Sequence, residues 1–366
     1  MPRLKDMISE LEKLAPTYLA ENWDNVGLML GKPNAEVNKV LCALDLNESV
    51  VDEAIYLGVQ CIITHHPFLF KAMKQINLES IQGQIIEKLI LNQIAVYSMH
   101  TNYDIAEGGL NDYLMQKLGI LETKALKTTY EEKLYKGTIY VPDTHLEQVR
   151  SVVIQHMKSK IGKYSGCTFT KQGEGTFMPL EGSLPYIGKS GQLEKVKESQ
   201  LSFLGTYDEI EHIIEAAQKV HPYEEVAVDI YPLENMKKSY GIGRYGELDE
   251  AVTMEQFISQ VKTCFNIEHI RITDQMQHNV KRVALCSGSG SELIPLAARV
   301  ADVYITGDLK FHEGQMAQSM GITVIDVGHY ASESIALTPI GNCIKQAFPM
   351  SEVYYSSING ETLFIK

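Results

Sequence analysis

Apolar residues in the first third of the chain alternate between helical and strand-like patterns. After Pro2 the apolar positions have helical spacing, which predicts an amphipathic helix containing Leu4, Met7, Ile8, Leu11 and Leu14. Short apolar runs then predict buried strands at 40–44, 61–64 and 94–98, separated by helices at 48–57, 79–91 and 108–118. This alternation predicts a parallel or mixed sheet with helices on its faces.

The C-terminal third of the chain repeats this organisation. Its apolar runs predict strands at 280–286, 303–305 and 322–327, a helix at 291–300 and a long helix that begins near 331. We therefore expect an α/β fold with two lobes, residues 1–125 and residues 241–366, whose mixed or parallel sheets form a cleft.

The middle of the chain has a different pattern. It predicts a strand at 134–141, a helix at 144–157, a Gly-, Ser- and Thr-rich segment with short strands at 165–206, a helix at 207–219 and a strand at 226–231. The order β-α-β-β-α-β is typical of a ferredoxin-like α+β domain, which we expect as an insertion at 126–240. The sequence HPYEE at 221–225 lies at a turn before the last strand, where a structural role is the favoured interpretation.

Composition and charge exclude several classes of function. The 366-residue chain has a formal net charge of −13, which disfavours binding to bulk nucleic acid through phosphate contacts. No apolar run approaches the ~20 residues of a membrane span, and the N-terminal segment has the pattern of an amphipathic helix rather than a secretory signal. The six cysteines are scattered without a CxxC pair, as expected of free thiols in a reducing compartment. We therefore expect a cytoplasmic protein that does not associate with membranes.

Three segments share one arrangement, an apolar strand followed by side chains that can bind metal. They are CIIT-His65-His66-Pro67, IAVYSM-His100-Thr-Asn-Tyr-Asp104 and ITVIDVG-His329-Tyr-Ala-Ser-Glu333. Ligands of open α/β sheets bind beyond the carboxyl ends of the strands, so we expect these segments to converge. His329 and Glu333 lie four positions apart at a helix start, and hence on one helical face.

These side chains predict a centre for two divalent metal ions. The adjacent imidazoles of His65 and His66 can address two neighbouring ions, a carboxylate can bridge them, and Asp45 can join the same cleft. Imidazole and carboxylate ligands suit zinc, iron, manganese or cobalt, while the absence of Cys disfavours a closed structural zinc site. The alternative interpretation is that these residues separately cap helices and turns, but three strand-terminal clusters together favour the metal centre.

Two further loops carry weaker signals. The segment Cys286–Ser291 follows a predicted strand and can hold a phosphate through backbone N–H groups, although a tight turn explains it equally well. In the segment 306–313, Asp308, Lys310 and His312 can support the metal ligands or bind substrate, and solvated loop residues are the alternative.

Four motifs, THHPFLF, MHTNYD, TGDLKFHEGQ and GHYASE, occur along the two outer segments. Through them the chain resembles the Nif-three-like family of dinuclear metal proteins, often labelled GTP cyclohydrolase type two homologues. The resemblance implies that the metal ligands are His65, His66, Asp104, His329 and Glu333. It also implies that His100 lines the site, that the central segment is an insertion similar to PII and CutA signalling domains, and that the protein forms a homo-hexameric ring.

Three hypotheses of function follow from the residues and the resemblance. The first is a metal-dependent hydrolase of a small anionic or nucleotide-like molecule such as GTP, with His100 or His312 as the catalytic groups that move protons. The second is a metal-dependent phosphoesterase, since two-metal centres also stabilise in-line displacement. The third is a non-catalytic metal-binding or regulatory protein. The crowded ligand set favours the first two hypotheses, and the signalling-like insertion favours the third.

Overall fold

The structure is a computed structural model that describes residues 1–273 and 279–362. Its contacts divide the chain into two compact units: the first consists of Met1–Tyr130 with Tyr240–Lys366, and the second of Glu131–Ser239. The first unit therefore combines both ends of the chain. Residues 274–278 and 363–366 of the predicted C-terminal lobe lie outside the described part.

The described helices are short. In chain order they are α1 (Leu4–Leu14), α2 (Glu48–Leu57), α3 (Ile81–Leu91), α4 (Thr101–Ile105), α5 (Leu110–Lys117), α6 (Leu146–His156), α7 (Tyr207–Gln218), α8 (Met254–Phe265), α9 (Ile294–Val300), α10 (Phe311–Ser319), α11 (His329–Ser334) and α12 (Leu337–Ala347). Within residues 1–273 and 279–362, no helix has the length and apolar character needed to cross a bilayer.

The strands range from two residues to 26 residues in length. They are β1 (Gly27–Leu30), β2 (Lys39–Ala43), β3 (Cys61–Thr64), β4 (Ala95–Ser98), β5 (Thr123–Pro142), β6 (Thr168–Phe177), β7 (Glu194–Gly205), β8 (Val228–Thr253), β9 (Arg271–Ile272), β10 (Asn279–Leu285), β11 (Val303–Thr306), β12 (Thr323–Asp326) and β13 (Glu352–Tyr355).

The first sheet of the first unit has the strand order β1-β4-β3-β2-β13. Strands β2, β3, β4 and β13 run parallel, and β1 pairs antiparallel with β4. Alternate residues of β3 belong to different cores: Ile62 packs with α2 and α3, whereas Cys61 and Ile63 pack with α1 and α12. Helices on both faces explain why every residue of β3 and β4 is buried.

The second sheet of the first unit has the order β5-β8-β10-β11-β12-β9, with β5 contributing its residues up to Tyr130. Strands β10, β11 and β12 are parallel. Strand β8 pairs antiparallel with β10, and β9 pairs antiparallel with β12. Val283 and Ile305 of this sheet share one buried cluster with Ile63 and Tyr97 of the first sheet. The two sheets therefore share a core, and the predicted α/β class with mixed sheets is confirmed.

The second unit contains, in chain order, part of β5, then α6, β6, β7 and α7, and part of β8. Strand β7 pairs antiparallel with both β5 and β6. The core of the second unit consists of strand residues and of one apolar stripe from each helix. It includes Ile139, Leu201, Phe203, Val149, Val153, Ile210 and Ile213.

Some boundaries differ from the prediction. The helix predicted from about 331 is two helices, because the amide of Ala336 donates to the carbonyl of Glu333 (2.8 Å) in a tighter turn that ends α11. The strand predicted at 134–141 is part of β5, which has 20 residues, and the strand predicted at 226–231 overlaps the start of β8, which begins at Val228 and has 26 residues. Residues 123–133 of β5 are mostly exposed or half-buried, so no apolar run reveals them.

Candidate metal centre

The three predicted segments meet in the first unit. His65 and His66 follow β3, His100 precedes α4 at the end of β4, and His329 begins α11 after β12. The ligand-capable atoms of His65, His66 and His100 all lie within 4.8 Å of one another, and so do those of His66, His329 and Glu333. His66 belongs to both groups, so the two groups are adjacent.

The carboxylate of Glu333 is buried among three imidazoles. Its Oε2 lies 2.9 Å from Nε2 of His66 and 3.0 Å from Nε2 of His329, and its Oε1 lies 3.7 Å from Nε2 of His65. Its position on α11, four residues after His329, brings both side chains to one helical face. Glu333 is therefore the residue that joins the imidazoles of the cluster.

Each of these imidazoles is oriented by a contact at its other nitrogen. Nδ1 of His65 lies 2.7 Å from the carbonyl of Met99, Nδ1 of His66 lies 2.7 Å from Asp45, and Nδ1 of His329 lies 2.7 Å from Asp308. An acceptor at Nδ1 fixes the ring orientation and the tautomer, which leaves the Nε2 lone pair directed into the cluster. This is the arrangement that metal-binding histidines usually have.

Two buried polar atoms in the cluster lack a hydrogen-bond partner among the described residues. They are Nε2 of His65 and Oε2 of Glu333. The two imidazole nitrogens near Oε2 are close to it, but neither makes a hydrogen bond of good geometry. Buried polar atoms are rarely left unsatisfied, and imidazole nitrogens with carboxylate oxygens are ligands for divalent metals. The residues therefore fit a metal ion.

Asp104 and His100 lie on the His65 side of the cluster. Oδ1 of Asp104 is 3.8 Å from Nε2 of His65 and accepts a hydrogen bond from Ser287 Oγ (3.3 Å). Burial raises the pKa of Asp104, and the nearby His65 only partly offsets this. Nδ1 of His100 lies 2.9 Å from Asp24, which also accepts from the amide and hydroxyl of Thr101.

Mutual contacts set the charges of the cluster without metal. Burial opposes the charged form of His66, but Asp45 and Glu333 outweigh it and raise the pKa of His66 to about 10. Glu333 is also the main cause that raises the pKa of His329 to about 9. Burial would raise the pKa of Glu333, yet His329, His65 and His66 hold it well below its usual range. The carboxylate is therefore ionised and available as a ligand.

A buried arginine fixes the short helix that carries Asp104. Nη2 of Arg244 donates to the carbonyls of Ile105 (3.1 Å) and Ala106 (2.8 Å), which end α4. Its Nε donates to Oδ1 of Asp112 at 2.7 Å, and the arginine is 5% exposed. Arg244 therefore provides hydrogen bonds to the buried carbonyls of this helix end and holds the backbone next to Asp104 in place.

Glycines let the loops approach the ligands closely. Gly288 has φ +62°, and a Cβ at this position would lie 2.1 Å from Oε1 of Glu333 and 3.5 Å from Nε2 of His329. A Cβ on Gly307 would lie 2.6 Å from the carbonyl oxygen of Gly288. Larger residues at these positions would displace the carboxylate of Glu333 or the neighbouring loop.

The sequence of the chain matches a known family along nearly its whole length. Residues 2–361 match the family described as Duf34/NIF3 (NGG1p interacting factor 3). The chain belongs to the DUF34/NIF3 family. The resemblance inferred from the motifs is therefore confirmed.

Relatives of this DUF34/NIF3 chain cover most of its length. It is 41% identical over 330 residues to the GTP cyclohydrolase 1 type 2 homolog of Bacillus subtilis. This match covers 90% of this chain and 88% of the relative. It is 40% identical over 324 residues to the protein of the same name from Halalkalibacterium halodurans, with coverages of 88% and 87%. The crystal structure of a Bacillus cereus protein related to NIF3 superimposes with a TM-score of 0.91 at 37% identity and covers 100% of this chain and 99% of that one.

The structure of the DUF34/NIF3 chain brings most of the predicted site residues together. His65, His66, Asp104, His329 and Glu333 form the cluster, and His100 lies beside it. His312 does not join them through any described contact. It is exposed on α10, where its Nδ1 lies 3.0 Å from Oε1 of Gln315. Its catalytic role stays a prediction.

Sequence reasoning missed Asp24 and Arg244 and treated other residues only as neighbours of the site. Asp24 was not predicted, yet it contacts His100 from a loop 76 positions away. No apolar strand precedes it, so the strand-end pattern could not find it. Asp45 and Asp308 were expected near the site, and each contacts one histidine. The loop Cys286–Ser291 carries Ser287 and Gly288 to the cluster and thus takes part in the site.

Proposed function

We propose that this protein binds two divalent metal ions and hydrolyses a small nucleotide-like molecule in a metal-dependent reaction. The observation that carries the metal centre is the buried carboxylate of Glu333, which lies among three imidazole Nε2 atoms and has an oxygen without a hydrogen-bond partner among the described residues. Two ions rather than one are supported by the two sides of this carboxylate, because His65 and Asp104 lie on the side of Oε1 and His66 and His329 lie on the side of Oε2. The ligands would be His65, His66, Asp104, His329 and Glu333.

Bound divalent ions would act as Lewis acids that lower the pKa of water and polarise a substrate oxygen. The residues of the chain supply orientation and proton transfer. Asp45, Asp308 and the carbonyl of Met99 hold the imidazole rings in position. Asp24, whose pKa is lowered by His100 and Thr101 despite burial, holds Nδ1 of His100. Nε2 of His100 is then free to accept or donate a proton beside the cluster.

Aromatic side chains beside His100 support a substrate with a planar ring. The ring centroid of Trp23 lies 6.0 Å from that of His100 and 5.8 Å from that of Phe70. Trp23 is 59% exposed and Phe70 is 45% exposed, so both offer ring surface to a ligand. Stacking on such rings recognises purines and pyrimidines, and Lys71 and Lys74, which line a cavity with Phe70, suit their phosphates.

The test is metal analysis followed by turnover. Protein purified without added metal is analysed for bound metal, stripped, and reloaded with zinc, iron, manganese or cobalt. Each form is then assayed with nucleotides, including GTP, and with simple phosphate esters. Metal-dependent ring opening or other hydrolysis of a nucleotide supports the proposal. Turnover of phosphate esters alone favours a phosphoesterase. Bound metal without turnover favours a non-catalytic protein, and less than half an equivalent of metal contradicts the metal centre.

We also propose that residues 126–240 are a ferredoxin-like insertion and that the protein is a cytoplasmic homo-oligomer of six chains. The element order β5, α6, β6, β7, α7, β8 supports the first part. Exposed apolar side chains in the first unit, including Ile76, Ile81 and Phe311, support the second part because assembly would bury them. Deletion of the insertion should leave a metal-binding core. Light scattering that gives a monomer at micromolar concentration would contradict the hexamer.

A further inference from the structure

The second unit contains a cavity of about 500 Å³ that is unrelated to the metal ligands. Its size lies in the range of small-molecule sites. Aromatic residues and prolines form much of its wall, namely Tyr140, Phe177, Tyr186, Tyr223, Pro179 and Pro185. The cavity therefore combines apolar surface with the faces and edges of several rings.

The sequence HPYEE builds one side of this cavity. Nδ1 of His221 accepts a hydrogen bond from the amide of Tyr223 (3.1 Å), so Nε2 carries the proton and donates to the carbonyl of Tyr140 (3.0 Å). Burial lowers the pKa of His221, in agreement with a neutral ring. His221 therefore has a structural role, because its hydrogen bond with the amide of Tyr223 positions Tyr223 in the wall of the cavity.

The rings stand at angles to one another instead of stacking on each other. The centroids of Phe177 and Tyr223 are 5.7 Å apart with an interplanar angle of 61°, and those of Tyr186 and Tyr223 are 6.4 Å apart at 48°. Tyr186 is 54% exposed, so its ring is open to an incoming ligand. Rings that meet at such angles surround a bound group from more than one side, which is the geometry used to recognise ammonium groups.

The charged groups of the cavity all have one sign. Glu198, Glu224 and Glu225 line it, whereas none of its described lining residues is Lys or Arg. Glu198 accepts a hydrogen bond from the hydroxyl of Tyr223 (2.9 Å), and its other oxygen turns toward Gly175, where a Cβ would lie 2.0 Å away. Glu225 is exposed and forms no ion pair with a described residue. The cavity therefore repels anions and attracts cations.

We propose that this cavity binds a small organic cation with an apolar or aromatic body, such as an arylalkyl amine. The ammonium group contacts the ring faces and the carboxylates, and the apolar body contacts Pro179, Pro185 and Phe177. None of the residues that line this cavity is a proposed metal ligand, so the two proposals rest on different residues. Failure of cation binding would therefore leave the proposed hydrolase untouched, and failure of the hydrolase would leave this site untouched.

The test uses three probes of similar size and different charge on the full-length protein. Phenethylammonium is positive, 2-phenylethanol is neutral and phenylacetate is negative at pH 7. Saturation-transfer NMR detects contact with the protein, and a titration gives the affinity. We expect phenethylammonium to bind about tenfold more tightly than 2-phenylethanol and phenylacetate not to bind. Added salt should weaken the binding of the cation and leave that of 2-phenylethanol unchanged.

Two variants locate the site. Tyr186→Leu removes an exposed ring and Glu225→Gln removes an unpaired charge, and both should weaken cation binding several-fold while the fold is kept. The matched controls are Tyr164→Leu and Glu215→Gln, which change exposed residues of the same unit outside the cavity and should bind as the wild type does. Equal affinity for the three probes, or no saturable cation binding up to about 10 mM, would overturn the proposal. Unchanged binding in both cavity variants would also overturn it.

Discussion

Replacement of Gly288 by alanine should weaken metal binding while the rest of the fold is kept. The new Cβ would lie 2.1 Å from Oε1 of Glu333, far inside the ~3.5 Å of a relaxed contact. The loop cannot easily retreat, because the amide of Gly288 donates to Ser332 Oγ (2.8 Å) and its carbonyl accepts from the amide of Gly307 (2.8 Å). The carboxylate of Glu333 must therefore move by about 1.4 Å to restore a relaxed contact.

A displacement of this size exceeds the tolerance of a metal ligand. Metal–ligand distances vary by only about 0.2 Å between sites, so Glu333 should cease to bind. We expect the metal affinity of Gly288→Ala to fall at least ~100-fold, because even the loss of an outer contact costs about 10- to 100-fold. The positive φ adds a backbone cost of about 1–2 kcal/mol to the free energy of folding.

Gly321→Ala is the matched control. Gly321 also has a positive φ (+70°), but none of the described atoms lies within 4 Å of the position that its new Cβ would occupy. The folding stability of this variant should decrease by a similar amount, roughly 1–2 kcal/mol, and its metal should stay bound. Metal content by elemental analysis, chelator competition and chemical denaturation of the metal-free forms measure both effects. Wild-type metal content in Gly288→Ala, or equal metal loss in both variants, would refute the reasoning.

Three further predictions concern ligands, stability and substrate. Glu333→Gln should lose at least one ion and any hydrolytic activity, whereas His312→Ala should keep its metal; metal analysis of both decides this. Asp112→Asn leaves Arg244 buried without its partner and should cost about 3 kcal/mol at pH 7. Burial opposes ionisation of Asp112, but Arg244 lowers its pKa, so this stabilisation should decrease progressively in denaturation experiments as the pH falls below about 4 and through the lowered pKa of Asp112. Purine nucleotides should quench the fluorescence of Trp23, the single tryptophan, and ribose 5-phosphate should not.

The sequence was sufficient to locate the strands that carry the ligands. Strands β3, β4 and β12 are short runs buried on both faces, so their residues are apolar almost without interruption. The candidate metal ligands follow closely, and the rule that sites lie beyond carboxyl strand ends then predicts that the three segments meet. The spacing of His329 and Glu333 was informative because α11 is helical, as expected.

Other features had no local pattern to reveal them. The edge strands β1 and β13, which have four residues each and are mostly half-buried or exposed, were not predicted. Asp24 lies in a loop, and its contact with His100 depends on tertiary packing across 76 positions. The role of Arg244 was hidden for the same reason, since its partners Ile105 and Ala106 lie 139 and 138 positions away. Side chains that support a site from distant segments need the fold before they can be recognised.

The origin of the candidate ligands connects the proposed metal centre to the packing of the first unit. His65 and Asp104 follow strands of the first sheet, whereas His329 and Glu333 follow a strand of the second sheet. The two sheets already share one buried cluster of apolar residues, and the ligands join them again at their carboxyl ends. A metal that binds all four residues must therefore favour the packed arrangement over the unfolded chain, by about 2.7 kcal/mol when the free metal concentration is about 100 times the dissociation constant. In the absence of metal, the charged contacts of Glu333 with His66 and His329 supply part of this stabilisation, because they hold the same side chains together.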